Sequence, residues 1–194
     1  DLNNLTDISM DHRYISICGM TEKELLRNFK EGIGELASAN EDNETETIDK
    51  LRMRYSGYHF EENSEEIYNP FSVLNTLANS RYDDYWFKAN THTFLIDILK
   101  KHDYCITDLN KAQVKANMMN NVDSNPIPVI YQSGYLTIKS YDERFKNYQL
   151  GIPNKEVEEG ILHLVRGAGW GVGRGAGGGG GGWGGGGGGG WGGE

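Results

Sequence analysis

The sequence predicts an α+β fold, mainly α with a small β-hairpin, that ends in a winged-helix-like module. Three observations between Asn125 and Asn154 carry this expectation. Asn125 followed by Pro126 is a helix start, because asparagine accepts from free N–H groups and proline has no N–H to leave unpaired at the first helical position. From Tyr135 the apolar period changes to two, with Leu136 and Ile138 on one face against Thr137 and Lys139. Tyr148, Leu150 and Ile152 repeat it after the polar loop Asp142 to Asn147, which makes a hairpin. Pro153 then stops the second strand and Asn154 caps a last helix. In that helix Glu156, Glu158 and Glu159 lie near the positive end, and Val157, Ile161, Leu164 and Val165 share one face.

The remaining elements follow from the same rules. Residues 1–11 carry no capping or amphipathic pattern and read as an interior loop. Thr21 and Glu24 form a capping box, and Leu25, Leu26, Phe29, Ile33 and Leu36 follow at helical spacing. Gly32 and Gly34 weaken the second half of this helix by about 1 kcal/mol each relative to alanine. Residues 41–47 are acidic and polar and read as a solvated loop before a helix over 46–55 that stops at Gly57. Asn69-Pro70 is a second cap-and-proline start, for a helix expected to bury Phe71, Val73, Leu74 and Leu77. A tyrosine-rich connector over 82–87 leads to a helix over 93–102 with Phe94, Leu95, Ile98 and Leu99 on its apolar side. Residues 104–106 read as a short strand, and 110–125 carries no clear signal.

Of the 27 glycines only Gly19, Gly32, Gly34, Gly57, Gly134, Gly151 and Gly160 precede Gly167. Residues 167–194 are a tract that buries almost nothing against its ordering entropy; they read as unassigned residues, and no function is drawn from Trp170, Trp183 or Trp191. A formal net charge of −9 disfavours non-specific binding to nucleic acid or an anionic membrane, because a phosphate binder presents a net basic face. Cys18 and Cys105 stand alone, without CxxC spacing, and read as reduced core residues. No apolar run reaches the length of a membrane span, and a cytoplasmic location is the expectation.

No G-x-x-x-x-G-K-[ST] loop is present to cradle a nucleotide phosphate. The GxGxxG-like pattern at Gly167 follows a helix, not a strand. His12, His59, His92, His102 and His163 are scattered without metal-ligand spacing, so no metal site and no catalytic residue is assigned. The adjacent acids Glu61/Glu62, Glu65/Glu66, Asp83/Asp84 and Glu158/Glu159 read as solvated faces or helix-dipole complements. Tyr55 and Tyr58 in YSGYHF are interaction candidates by stacking, against the plainer reading as packing residues. Lys139, Arg144 and Lys146 are interaction candidates in the hairpin, where a nucleic acid or a protein would meet local positive charge.

The motifs LNNLTDIS, ICGMTEKEL, YSGYHF, IYNPFSVLN and PIPVIYQSGYLTIKSYD with GIPNKEV, in this order over residues 2–165, resemble the second half of the predicted AAA-ATPase-like family of bacterial proteins. Tyr55, Gly57, Tyr58 and Phe60 match a WYDGYxF-type motif, with Arg54 before Tyr55 and Ser56 where aspartate is usual. Asn69, Pro70 and Phe71 match a YNPxS element, and Gln132 to Tyr135 match YQSGYL; His12 stands where proline is frequent. The resemblance implies a P-loop ATPase core upstream, ending within residues 1–20, and a downstream domain, frequently a PD-(D/E)XK nuclease-like one. It implies a helical lid over 21–124 and a winged-helix-like module over 125–166, acting between the two. It further implies ATP and Mg in the full-length protein, with no cofactor in this chain and no activity of this chain alone. Asn3, Asn4, Asp7 and Arg13 are the nucleotide-facing candidates. The alternative expectation is an interaction module for nucleic acid or protein, without ATPase activity.

Overall fold

A computed structural model of the chain describes residues 12–14, 17, 19–61, 63–89, 92–119 and 125–168. Helices α1 (Glu22–Asn28), α2 (Lys30–Ala39), α3 (Glu44–Tyr55), α4 (Pro70–Asn79), α5 (Tyr85–Ala89), α6 (Thr93–His102), α7 (Ile106–Leu109), α8 (Ile127–Gln132) and α9 (Lys155–Gly167) are interrupted by a few short strands. β1 (Met20–Thr21) pairs antiparallel with β2 (Ile67–Tyr68). β3 (Gln113–Lys115), β4 (Thr137–Asp142) and β5 (Asn147–Gly151) form an antiparallel sheet of order β3-β5-β4. The α+β expectation holds.

The caps behave as their chemistry requires. Thr21 and Glu24 satisfy each other's backbone N–H groups at the start of α1, and Asn69 Oδ1 accepts from Phe71 N at 3.0 Å at the start of α4. The expected single first helix is two, however. Phe29 (φ −125°, ψ 25°) lies outside helical geometry between α1 and α2. The bend turns Leu25, Ile33 and Leu36 into one cluster; Gly32 sits against Leu77 of α4 within α2. The helix expected over 46–55 starts two residues earlier, at Glu44, because Asn43 and Glu46 make a second reciprocal capping box.

Four further expectations are corrected. In α4 the buried side chains are Ser72, Val73, Thr76 and Leu77, while Phe71 (46% exposed) and Leu74 (43%) face outward. The inner face is set by what Ser72 meets across the fold and not by apolar spacing alone. Residues 104–106 are not a strand: the Asp108 carboxylate accepts from Cys105 N at 2.9 Å and starts α7. The featureless stretch after 110 supplies β3, whose alternation is buried only at Val114 and which pairs with β5. At α8 the helix starts one residue later than expected, at Ile127, with Asn125 Oδ1 accepting from Ile127 N at 3.0 Å.

The apolar side chains form two clusters. One gathers Met20, Leu25, Ile33, Leu36, Leu51, Tyr55, Tyr68, Val73 and Leu77 from α1 to α4 and the small sheet. The other runs from Phe87 to Val165 and packs α6, α7, α8 and α9 on the three-stranded sheet. Within it, His92 stacks on Phe87 with ring centroids 3.7 Å apart, and its two ring nitrogens hydrogen-bond the Tyr135 hydroxyl and the Phe87 carbonyl. Phe87 in turn lies across α9 at Gly160, where a Cβ would stand 2.3 Å from ring carbons.

Gly160→Ala therefore destabilises the protein although alanine is the better helix former. Overpacking outweighs the propensity gain of about 1 kcal/mol, with a net loss of about 1–3 kcal/mol by denaturant unfolding. Phe87→Leu in the same chain recovers part of it, and a more stable Gly160→Ala protein would refute this packing.

Candidate functional site

The segment from Tyr55 to His59 is where the two clusters meet. α3 ends at Tyr55, and Gly57 takes φ +90°, a conformation that disfavours a side chain. A Cβ at Gly57 would also stand 2.2 Å from the carbonyl oxygen of Pro153, so the chain from β5 into α9 lies directly on this turn. Asn154 fastens the contact. Its Oδ1 accepts from Val157 N at 3.2 Å as the cap of α9, and its Nδ2 donates to the Ser56 carbonyl at 2.8 Å. The same segment reaches the start of the hairpin: Tyr58 OH donates to the Gly134 carbonyl at 3.3 Å, and His59 N donates to Thr137 Oγ1 at 2.6 Å.

In the first turn of α9, the Glu156 carboxyl is fully buried. Ser72 Oγ lies 2.9 and 2.7 Å from its two oxygens, and Trp86 N donates to Oε1 at 2.9 Å. Burial pushes its pKa up to about 7; hydrogen bonds from Ser72 and Trp86 oppose that, Asp84 adds to it, and Arg54 opposes it. The proton is held in the folded state and released by the unfolded chain near the ordinary carboxylate value. The contribution of Glu156 to stability is thus full below that value and is lost as pH rises through about 7, a span of about 3 kcal/mol.

Beside it, Arg54 Nη2 pairs with Asp84 at 2.7 Å and Glu159 at 3.1 Å, joining α3, the turn before α5, and α9. Tyr55 OH donates to the Asp83 carbonyl at 2.9 Å and accepts from Asp83 N at 3.1 Å. Four stretches far apart in sequence, around Ser56, Ser72, Gly134 and Asn154, thus converge on one polar junction. Such an arrangement holds two bodies together and can exchange a proton.

The sequence candidates fall in different places. Asn3, Asn4 and Asp7 lie outside the described residues, as does Cys18. Arg13 is exposed, with its guanidinium 5.5 Å from the centroid of the Tyr14 ring. Tyr55 is fully buried and packs in the first cluster, so its ring offers no open face. Tyr58 is half-buried at the junction, and burial pushes its hydroxyl pKa up. Lys139 lies by the bulge in β4, its stem against Gly151; burial lowers its pKa, and Glu66 opposes this. Arg144 and Lys146 are exposed in the turn between β4 and β5. The hairpin cations are not brought to the junction.

Sequence reasoning missed Glu156, Ser72, Arg54 and Asp84 as a group. One signal was available, since Glu156 and Gly160 stand one helical turn apart and share the buried face with Val157 and Ile161. Among the described residues no group of three His, Cys, Asp or Glu is placed to hold a metal ion. Among them, too, no helix is long and apolar enough to cross a membrane.

Against known proteins, no family model matches the chain, and no solved structure matches it. A protein of Azotobacter chroococcum mcd 1, described as an uncharacterized protein in the vnfD 5' region, is 31% identical over 165 residues. The match covers 82% of this chain and 30% of that protein, so the chain spans about a third of the relative's length.

Asn154→Ser separates the two roles of Asn154. Serine keeps the cap but does not reach the Ser56 carbonyl, so its loss, about 1 kcal/mol, is that of one hydrogen bond. Asn154→Ala loses both, about 2–3 kcal/mol by denaturant unfolding. An Asn154→Ser protein as stable as the wild type would show that the contact with Ser56 contributes nothing, and equal losses for the two variants would show the same of the cap.

Proposed function

We propose that the chain is a non-catalytic lid or relay region of a longer, cytoplasmic, bacterial P-loop ATPase, coupling nucleotide state to a partner or a downstream nuclease-like domain. The observation that carries this is the junction: two separate hydrophobic clusters are joined through hydrogen bonds and ion pairs at Arg54, Ser56, Glu156 and Asn154. A polar junction has a small docking free energy, and a ligand needs only about 1–3 kcal/mol of differential binding to shift it. The relative's greater length supports a place within a larger protein. The ATPase assignment rests on the resemblance of the sequence motifs; ATP and Mg belong to the upstream core, which Asn3, Asn4, Asp7 and Arg13 would face. In this reading the region around β3, β4, β5 and α8 is the winged-helix-like module, which the strand order and the helix before the hairpin support.

Hydrogen exchange of the full-length protein tests the reading. Adding ATP and Mg is expected to change protection in peptides covering 54–59 and 153–159, and a P-loop lysine variant is expected to abolish the change. Unchanged exchange in a protein that binds ATP would sink the coupling; absence of ATP binding would sink the ATPase assignment.

A second reading has its own observation. Phe145 is 62% exposed in the β4–β5 turn, with the Arg144 guanidinium 5.3 Å from its ring centroid and Lys146 next to it. An exposed aromatic among cations is the arrangement that stacks on a nucleobase beside its phosphates. In a DNA titration at two salt concentrations, this reading expects salt-dependent binding that Phe145→Ala and Arg144→Glu weaken by about tenfold or more. Binding that is absent, or indifferent to both substitutions, removes it.

A further inference from the structure

We propose that Glu156 is a proton-controlled latch: as a neutral acid it closes the junction between the two clusters, and as a carboxylate it loosens it. The proposal deepens the coupling reading and rests on its premise that the junction opens, but it requires no nucleotide.

The geometry suits the acid. Ser72 Oγ is within 2.9 Å of both carboxyl oxygens, and one hydroxyl proton cannot serve both fully. A protonated Oε2 donating to Ser72 Oγ, with Oε1 accepting from Trp86 N, satisfies the pocket. Losing the proton leaves a charge without solvent, because the carboxyl is fully buried. The nearby cation is already engaged: Arg54 pairs with Asp84 and Glu159.

Charged and titratable groups face the site from each element around it. Arg54 comes from α3, Tyr58 from the turn after it, Asp84 from the turn before α5, and Lys155 and Glu159 from α9 itself; α4 offers only the neutral Ser72. The acids Asp84 and Glu159 balance Arg54, so no net positive charge is left to hold a carboxylate. Among the described residues Arg54 Nε is buried without a hydrogen-bond partner, and an ionised Glu156 would draw on that donor by rearranging the pairs around it. Glu156, on α9, is anchored to Ser72 of α4 and to Trp86 of α5; the bond to Ser72 joins the two clusters, so weakening these anchors loosens α4 from α5 and α9.

The test is made on the full chain without nucleotide, by carboxyl 13C NMR and by hydrogen exchange of the Trp86 amide between pH 5 and 8. Glu156 is expected to titrate near neutrality. Opening at Trp86, corrected for intrinsic exchange, is expected to rise about tenfold or more across this range in the wild type and to stay flat in Glu156→Gln. A Glu156 that titrates in the ordinary carboxylate range, or a pH dependence shared by Glu156→Gln, overturns the proposal. Should Glu156→Gln fail to fold, the wild-type titration still decides. Loss of the ATP-dependent exchange change leaves this result untouched, so the two readings fail separately.

Discussion

The close approach of Gly57 to Pro153 is the constraint on which the rest of this structure depends. Backbone meets backbone there, with no side chain between that could adjust. The position demands both φ +90° and the absence of a Cβ, and only glycine meets both without strain. From that contact the geometry spreads in both directions. Asn154 is held over Ser56, α9 begins at a set place, and Glu156 is carried into the gap between α4 and α5. Tyr58 and His59, leaving on the other side, are brought to the start of β4.

What the contact joins is chemically uneven. Each cluster buries its own leucines, isoleucines and aromatics, worth about 1.5–3 kcal/mol per large apolar side chain. The seam between them holds a buried acid, an arginine shared by two carboxylates, and an asparagine with both ends engaged. Polar seams of this kind add little net free energy, because each hydrogen bond replaces one to water. They do constrain geometry strongly, since a half-made arrangement leaves buried charge unpaired. The expected behaviour is two bodies that are individually firm and whose docking is sharply defined yet near balance.

Local chemistry was legible in the sequence. Thr21 with Glu24, Asn69 with Pro70, and Pro153 with Asn154 marked helix starts because a cap is decided by neighbours within three or four residues. The hairpin was legible for the same reason. The failures are positions settled by distant partners. Phe71 and Leu74 point outward because Ser72 is drawn in by Glu156, which lies 84 residues away in sequence. β3 escaped notice since three residues with one buried valine carry almost no pattern until β5 lies alongside. Glu156 was read as a dipole complement, the usual role of an acid in a first helical turn; its burial depends on Ser72 and Trp86 together.

Ser56 shows how the junction constrains residues that do not touch Glu156. Its carbonyl accepts from Asn154, and its hydroxyl donates to Glu66 at 3.3 Å. The motif that YSGYHF resembles has aspartate at this place. An aspartate in the same rotamer would set two carboxylates at hydrogen-bond distance, where one must bind a proton or both must move apart. Serine supplies a donor instead, and the turn from Ser56 to Glu66 closes on itself with His59 hydrogen-bonded to the Ser64 carbonyl. In this chain position 56 is therefore uncharged and bound inward, and the fully buried acid at the junction is Glu156, on the opposite side of the Gly57–Pro153 contact.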